Sequence, residues 1–112
     1  MALTDKHCQP LVQGQATLSD TLIESYLSEI DSQWELVADN TTIQHSYHFK
    51  DFHKTMAFVN AVAWIAHQQD HHPDIQLGYN YCTLQFTSHA AQGLTENDFI
   101  CAAKVDLLAV NS

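Results

Sequence analysis

Eight of the 112 residues are histidines, and four of them, His67, His71, His72 and His89, lie beyond position 66. Three features there are of types that could act together: the run His71-His72-Pro73, the separate His89, and the carboxylate of Asp98. Imidazole, with an ordinary pKa near about 6.5, both donates and accepts a proton at neutral pH. A neighbouring carboxylate can hold one imidazole in a chosen tautomer. Acid–base proton transfer is therefore one chemistry open to this set. Zinc or iron bound by two or three imidazoles with Asp98 is another. Adjacent histidines rarely aim at one ion. His67 and His71 have helical ligand spacing, but His71 is expected to lie beyond the last regular turn. Surface histidines without a role are a third reading, and the residue types alone leave all three open.

Charge narrows the substrate. The formal net charge is −9, from 13 acidic and 4 basic residues. The basic residues are Lys6, Lys50, Lys54 and Lys104, so the chain has no arginine. Arginine is the usual bidentate clamp for phosphate. Its absence and the acidic balance argue against nucleic acid, anionic membranes and phosphorylated substrates, and leave a neutral small molecule. The composition, 46% hydrophobic, suits one small core. No run approaches the roughly 18–20 apolar residues of a membrane span. Met1 to Gln15 lacks a charged start followed by an apolar stretch, so a cytoplasmic protein is expected. Cys8, Cys82 and Cys101 are too few and too scattered for a disulfide framework or zinc knuckle, and read as free thiols with Cys82 in the core.

The histidines must be positioned by the elements between them. Residues 1–17 are polar and irregular and read as an arm, with one domain over 18–112. A first helix is expected from about Asp20 to Ile30, capped by Ser19 or Thr21, with a stripe of Leu22, Ile23, Tyr26, Leu27 and Ile30. Trp34 to Ala38, the turn Asp39-Asn40 and the alternating Thr42 to Phe49 form a hairpin. Asp51 is a suitable N-cap for a second helix to about Gln68, with Phe52, Met56, Val59, Ala63 and Ala66 on one face and Phe58, Val62 and Ile65 widening it. Trp64, Tyr47 and Phe86 are expected in the core; His45, His48 and His53 read as structural or surface residues. Pro73 should end the helix and extend His72. A strand over Asp74–Leu77, a turn at Gly78–Asn80 and a strand over Tyr81–Ser88 follow, with Cys82, Leu84 and Phe86 inward. After Gly93, Thr95 and Asp98 have capping-box spacing for a third helix to about Val110, with Phe99, Ile100, Ala103 and Leu107 inward. The order α-β-β-α-β-β-α predicts an α+β domain, a four-stranded antiparallel sheet with three helices on one face. Junctions and strand ends then gather the histidines at one edge of the sheet.

Several spaced motifs resemble the pterin-4a-carbinolamine dehydratases. Phe49-Lys50-Asp51-Phe52 followed by Met56-Ala57-Phe58-Val59-Asn60 resembles their central helix. His71-His72-Pro73-Asp74 resembles their histidine signature, with Tyr79-Asn80 at the expected distance. Thr87-Ser88-His89 is similar to the segment with their third histidine, and Gly93-Leu94-Thr95-Glu96-Asn97-Asp98 to the start of their last helix. Upstream, Leu18-Ser19-Asp20, Trp34-Glu35-Leu36 and the leader Lys6-His7-Cys8 extend the likeness over nearly the whole chain. Two departures stand out. Members with the leader often carry a second cysteine shortly afterwards, whereas Gln9, Pro10 and Leu11 follow here. Many carry a glutamate four residues before the first signature histidine, where this chain has His67.

The resemblance implies dehydration of 4a-hydroxytetrahydrobiopterin to quinonoid dihydrobiopterin, which recycles the tetrahydropterin after aromatic amino-acid hydroxylation. It implies His71, His72 and His89 as catalytic residues, His71 and His89 being the acid–base pair and His72 orienting the ring. Trp34, Asp98 and His67 are the implied substrate-binding residues. Neither a metal nor a cofactor is implied, because no electrons move. A homodimer or homotetramer and an aromatic amino-acid hydroxylase in the same pathway are the expected partners. Some relatives of this fold act instead as coactivators or assembly factors, which keeps a non-enzymatic binding role as the alternative.

Overall fold

A computed structural model describes residues 1–108. Its elements are α1 (Asp20–Leu27), β1 (Glu35–Val37), β2 (Thr42–His48), α2 (Phe52–Gln69), β3 (Asp74–Leu77), β4 (Tyr81–Phe86) and α3 (Glu96–Asp106). The strands form one antiparallel sheet in the order β1-β2-β4-β3, giving the α+β architecture expected from the element order.

Register decides where the site lies. Asp74, the first residue of β3, pairs with Gln85, the penultimate residue of β4. The segment entering β3 and the segment leaving β4 therefore sit at the same end of the sheet. His71-His72 lies on the first and Ser88-His89 on the second. The alternation of β2 and β4 sends Ile43, His45 and Tyr47, and Cys82, Leu84 and Phe86, to the buried face.

Helix α2 begins where Asp51 accepts the Lys54 N–H at 2.9 Å, and Thr55, Phe58, Val59 and Val62 are its buried stripe. This stripe is narrower than the apolar arc in the sequence. Trp64, expected in the core, is 60% exposed, and Phe52 is 44% exposed. Trp64 follows Val62 by two residues, about 200° around the helix, so it points away from the sheet. Helix α1 is capped by Ser19, whose Oγ accepts the Leu22 N–H at 3.2 Å. It ends at Leu27, three residues short of Ile30, which is nevertheless buried. Leu22, expected in its apolar stripe, is exposed.

Helix α3 is buried around most of its girth, including Asn97, Asp98 and every residue from Phe99 to Ala103. The cause is the N-terminal arm, which lies against it. The arm starts with a 3₁₀ turn at Leu3–Asp5 that buries Leu3. Lys6 pairs with Glu96 at 2.8 Å, and Gln9 exchanges two hydrogen bonds with the Asn97 amide. Cys8 N–H donates to Gln69 Oε1 at 2.8 Å, tying the arm to α2 as well. The helix stops at Asp106, so Leu107 falls in the turn beyond it and is exposed, not inward as expected. Val110, the expected end of this helix, lies outside the described residues.

Candidate active site

The histidine pair is set by the way α2 ends. Asp70 adopts a left-handed conformation (φ 52°), and His71 N–H donates to Ala66 O at 3.2 Å, which turns the chain out of the helix three residues before Pro73. Aspartate tolerates that conformation better than most side chains. His71 consequently leaves the helical spacing it shares with His67. The two adjacent rings diverge in environment: the His71 side chain is only 11% exposed, whereas His72 is exposed.

The His71 ring meets Asp98. Its Nε2 lies 2.6 Å from Asp98 Oδ1, and Asp98 has no exposed surface. The other carboxylate oxygen, Oδ2, accepts Ser88 Oγ–H at 2.8 Å and Thr95 N–H at 2.9 Å. Since the single Ser88 hydroxyl proton goes to Asp98, the Thr95 hydroxyl at 2.7 Å donates to Ser88 Oγ. Asp98 therefore reaches back to the start of α3 with one oxygen, as in a capping box, and holds the imidazole with the other. Phe86 lies nearly parallel to the His71 ring, at 9° and a centroid distance of 6.3 Å.

The pair sets the charge on His71. Burial pushes the imidazole pKa down, but the hydrogen bond and charge of Asp98, with smaller contributions from Cys8 and Asp70, outweigh it and leave the pKa above its ordinary value. The pair thus favours the protonated ring, with a fully buried carboxylate behind it.

A cleft of about 370 Å³ opens in front of this pair, lined by Ala63, Ala66, His67, Asp70, His71, His72, Pro73 and Ile75. The fold thus brings His67, His71 and His72 to one opening and puts Asp98 in contact with His71. His89 does not line this cleft; it is exposed in the turn after β4, next to Ser88. Trp34 does not line it either. Its indole is buried against Phe86 and His45, and its Nε1–H donates to Asp106 Oδ1 at 2.9 Å. Among the described residues, no group of three or more His, Cys, Asp and Glu side chains is arranged to hold a metal ion.

The sequence motifs give Ser88 no role beyond its place beside His89. Its signal was available: Ser88 shares the parity of Cys82, Leu84 and Phe86, so a hydroxyl continues the inward register where an apolar residue would be expected. A polar side chain in that position needs a buried partner.

The chain is thus an α+β domain, an antiparallel sheet backed by helices with a histidine–carboxylate pair at one end. The crystal structure of a transcriptional coactivator/pterin dehydratase from Brucella melitensis matches with a TM-score of 0.74 and 30% identity, over 80% of this chain and 94% of that one. A pterin dehydratase-like protein identified as a RuBisCO assembly factor in the alpha-carboxysome matches with a TM-score of 0.60 and 25% identity, over 71% of this chain and 93% of that one. Among curated relatives, a protein of Legionella pneumophila (strain Corby), provisionally named pterin-4-alpha-carbinolamine dehydratase, is 49% identical over 97% of this chain and 96% of its own length. A Nitrosomonas eutropha protein with the same provisional name is 50% identical over 97% and 95%. The pterin 4 alpha carbinolamine dehydratase family model matches residues 16–108, and the chain belongs to that family.

Proposed function

We propose that this chain dehydrates a 4a-hydroxytetrahydropterin such as 4a-hydroxytetrahydrobiopterin, using His71 and His89 as its acid–base pair. The observation that carries the reading is the His71–Asp98 contact: a nearly buried imidazole with a raised pKa, held on one nitrogen by a fixed carboxylate and lining a cleft large enough for a bicyclic ring.

The reaction breaks the C4a–O and N5–H bonds, forms a C4a–N5 double bond and releases water. Hydroxide leaves poorly, so the 4a-hydroxyl must gain a proton as its bond breaks. His71, whose protonated form Asp98 favours, is suited to donate it. His89 takes the N5 proton, which requires the ring to extend past the cleft lining toward the exposed turn after β4 at the same end of the sheet. Each transfer should contribute on the order of 10²–10⁴-fold. His72 orients the ring, and His67 contacts it from the last turn of α2. Asp98 acts through His71, and Trp34 through Phe86, which stacks on the His71 ring. The product is quinonoid dihydropterin, and no electrons are gained or lost, so the steps need no redox cofactor; both protons move through imidazoles, without a metal. A tetrahydropterin-dependent aromatic amino-acid hydroxylase would supply the substrate. A cytoplasmic setting and a homodimer or homotetramer belong to the same proposal; exposed Phe52, Trp64 and Tyr79 on a domain this small support self-association.

The test is the decay of the 4a-carbinolamine formed by a tetrahydropterin-dependent hydroxylase, with and without this protein. The wild-type chain should accelerate decay, and His71→Ala and His89→Ala should each remove most of the acceleration. Unchanged rates in both variants would overturn the mechanism. No acceleration by the wild type, together with a stable co-purifying protein, would favour the binding role for which the assembly-factor relative is named.

A further inference from the structure

The N-terminal arm brings together two thiols that are 93 positions apart. Cys8 Sγ lies 3.5 Å from Cys101 Sγ, with Cys8 half-buried and Cys101 fully buried in α3. The approach is held from both sides. Cys8 N–H is fixed by Gln69, its Sγ lies 3.5 Å from Asn97 O, and the next residue, Gln9, is clamped by the Asn97 amide. Behind the pair, Cys101 Sγ is 3.8 Å from His71 O. Cys82, the third thiol, is buried in β4.

We propose that Cys8 and Cys101 form a redox-active dithiol that a hydroperoxide converts into an intramolecular disulfide. The Cys8 thiolate attacks the peroxide oxygen. An S–O bond forms, the O–O bond breaks, and the released hydroxide takes a proton to leave as water. Cys101 sulfur then attacks the Cys8 sulfenic acid. The S–S bond forms, the S–O bond breaks, and hydroxide leaves as water with the proton from Cys101. Overall, two thiols and one hydrogen peroxide give one disulfide and two waters. The sulfurs lose two electrons and the peroxide gains them. The order of attack follows from the environment. The Cys101 thiol's hydrogen bond to Cys8 lowers the Cys8 pKa, helped by the charges of His71 and Lys104, while the same contact and burial push Cys101 up. Cys8 is also the more accessible of the two. Once formed, the bond ties the arm covalently to α3 and removes the thiol whose sulfur lies 3.8 Å from the His71 carbonyl.

The full-length protein is exposed to a small excess of hydrogen peroxide, denatured, alkylated and digested with a protease that cuts before aspartate. This separates the cysteines into peptides Asp5–Ser19, Asp74–Asn97 and Asp98–Val105. The expected result is a link between the first and third peptides, with Cys82 alkylated and the chain monomeric on a non-reducing denaturing gel. Thermal unfolding of the oxidised protein should shift upward by several degrees and return with reductant, because the closed loop restricts the unfolded chain. Cys101→Ser should stop at a sulfenic acid on Cys8 that dimedone traps. Three alkylated thiols after peroxide, a link through Cys82, a link between two chains, or dimedone on a residue other than Cys8 would each overturn the proposal.

Discussion

Asp98→Asn keeps the shape of a side chain with no exposed surface and removes its charge. Two donors, Ser88 Oγ–H and Thr95 N–H, converge on Oδ2, so the amide oxygen should remain there. The amide NH₂ is then turned toward His71 Nε2, 2.6 Å away in the native pair. Two donors cannot face each other, so the ring must present a bare nitrogen on that side, and its doubly protonated form becomes the least favoured. A hydrogen bond to a charged group contributes about 1.5–3 kcal/mol. If the proton on His71 is what the departing hydroxyl receives, that loss should lower turnover by about 10- to 100-fold. The pH profile carries the sharper signature. With His71 as donor, activity falls as pH rises through its pKa, which Asp98 holds above the ordinary value. In the variant, that fall should move to lower pH. The assay is carbinolamine decay across pH, with circular dichroism to verify the fold. Turnover within twofold of wild type, with the descending limb unmoved, would refute the role of the pair.

Stability should depend on the same pair. A group whose folded pKa is raised adds stability that is complete below its unfolded value, about 6.5 for histidine, and is lost as pH rises through the folded value. The urea midpoint should therefore fall as pH rises across that window, and Asp98→Asn should flatten the dependence. Ser88→Ala leaves Oδ2 with one donor and the Thr95 hydroxyl without its acceptor; a cost of about 1–3 kcal/mol in urea unfolding and a several-fold lower turnover are expected, with the native fold retained in circular dichroism. Prolonged treatment with a chelator should leave carbinolamine decay unchanged, because the proposed steps use imidazoles only; a rate lost to the chelator and restored by zinc would point to the metal-binding alternative.

Much of the scaffold was legible because local rules agree with the global packing. The Asp51 cap, the Asp74–Leu77 strand and the inward parity of Cys82, Leu84 and Phe86 each follow from a few adjacent residues. The misreadings on α2 share a cause. An apolar arc around α2 does not say which part of it meets the sheet, so Trp64, expected inside, stands outside. The site was legible in residue type more than in arrangement. Pro73 announces that the helix must end nearby, but the left-handed Asp70 that separates the surroundings of His71 and His72 leaves no mark in composition. Asp98 admitted two readings, helix cap or histidine partner, and its two oxygens serve both. The meeting of Cys8 with Cys101 depends on how an apparently unstructured arm lies along α3, which no local pattern encodes.

The double use of Asp98 bears on how a small domain can hold a catalytic group in place. A carboxylate in the first turn of a helix is already favoured by the positive end of the helix dipole. Here its rotation is also arrested, because Oδ2 is shared between a backbone N–H of the same turn and a hydroxyl from the end of β4. That leaves Oδ1 with one direction, toward the ring released from the end of α2. Three elements distant in sequence thus fix one hydrogen bond, and the rotamer entropy it would otherwise cost is lost on folding, not during the reaction. The N-terminal arm extends the same logic, since its clamp on Asn97 restrains the turn of α3 that carries Asp98. The most mobile-looking part of the sequence is therefore part of the support for its least exposed charge.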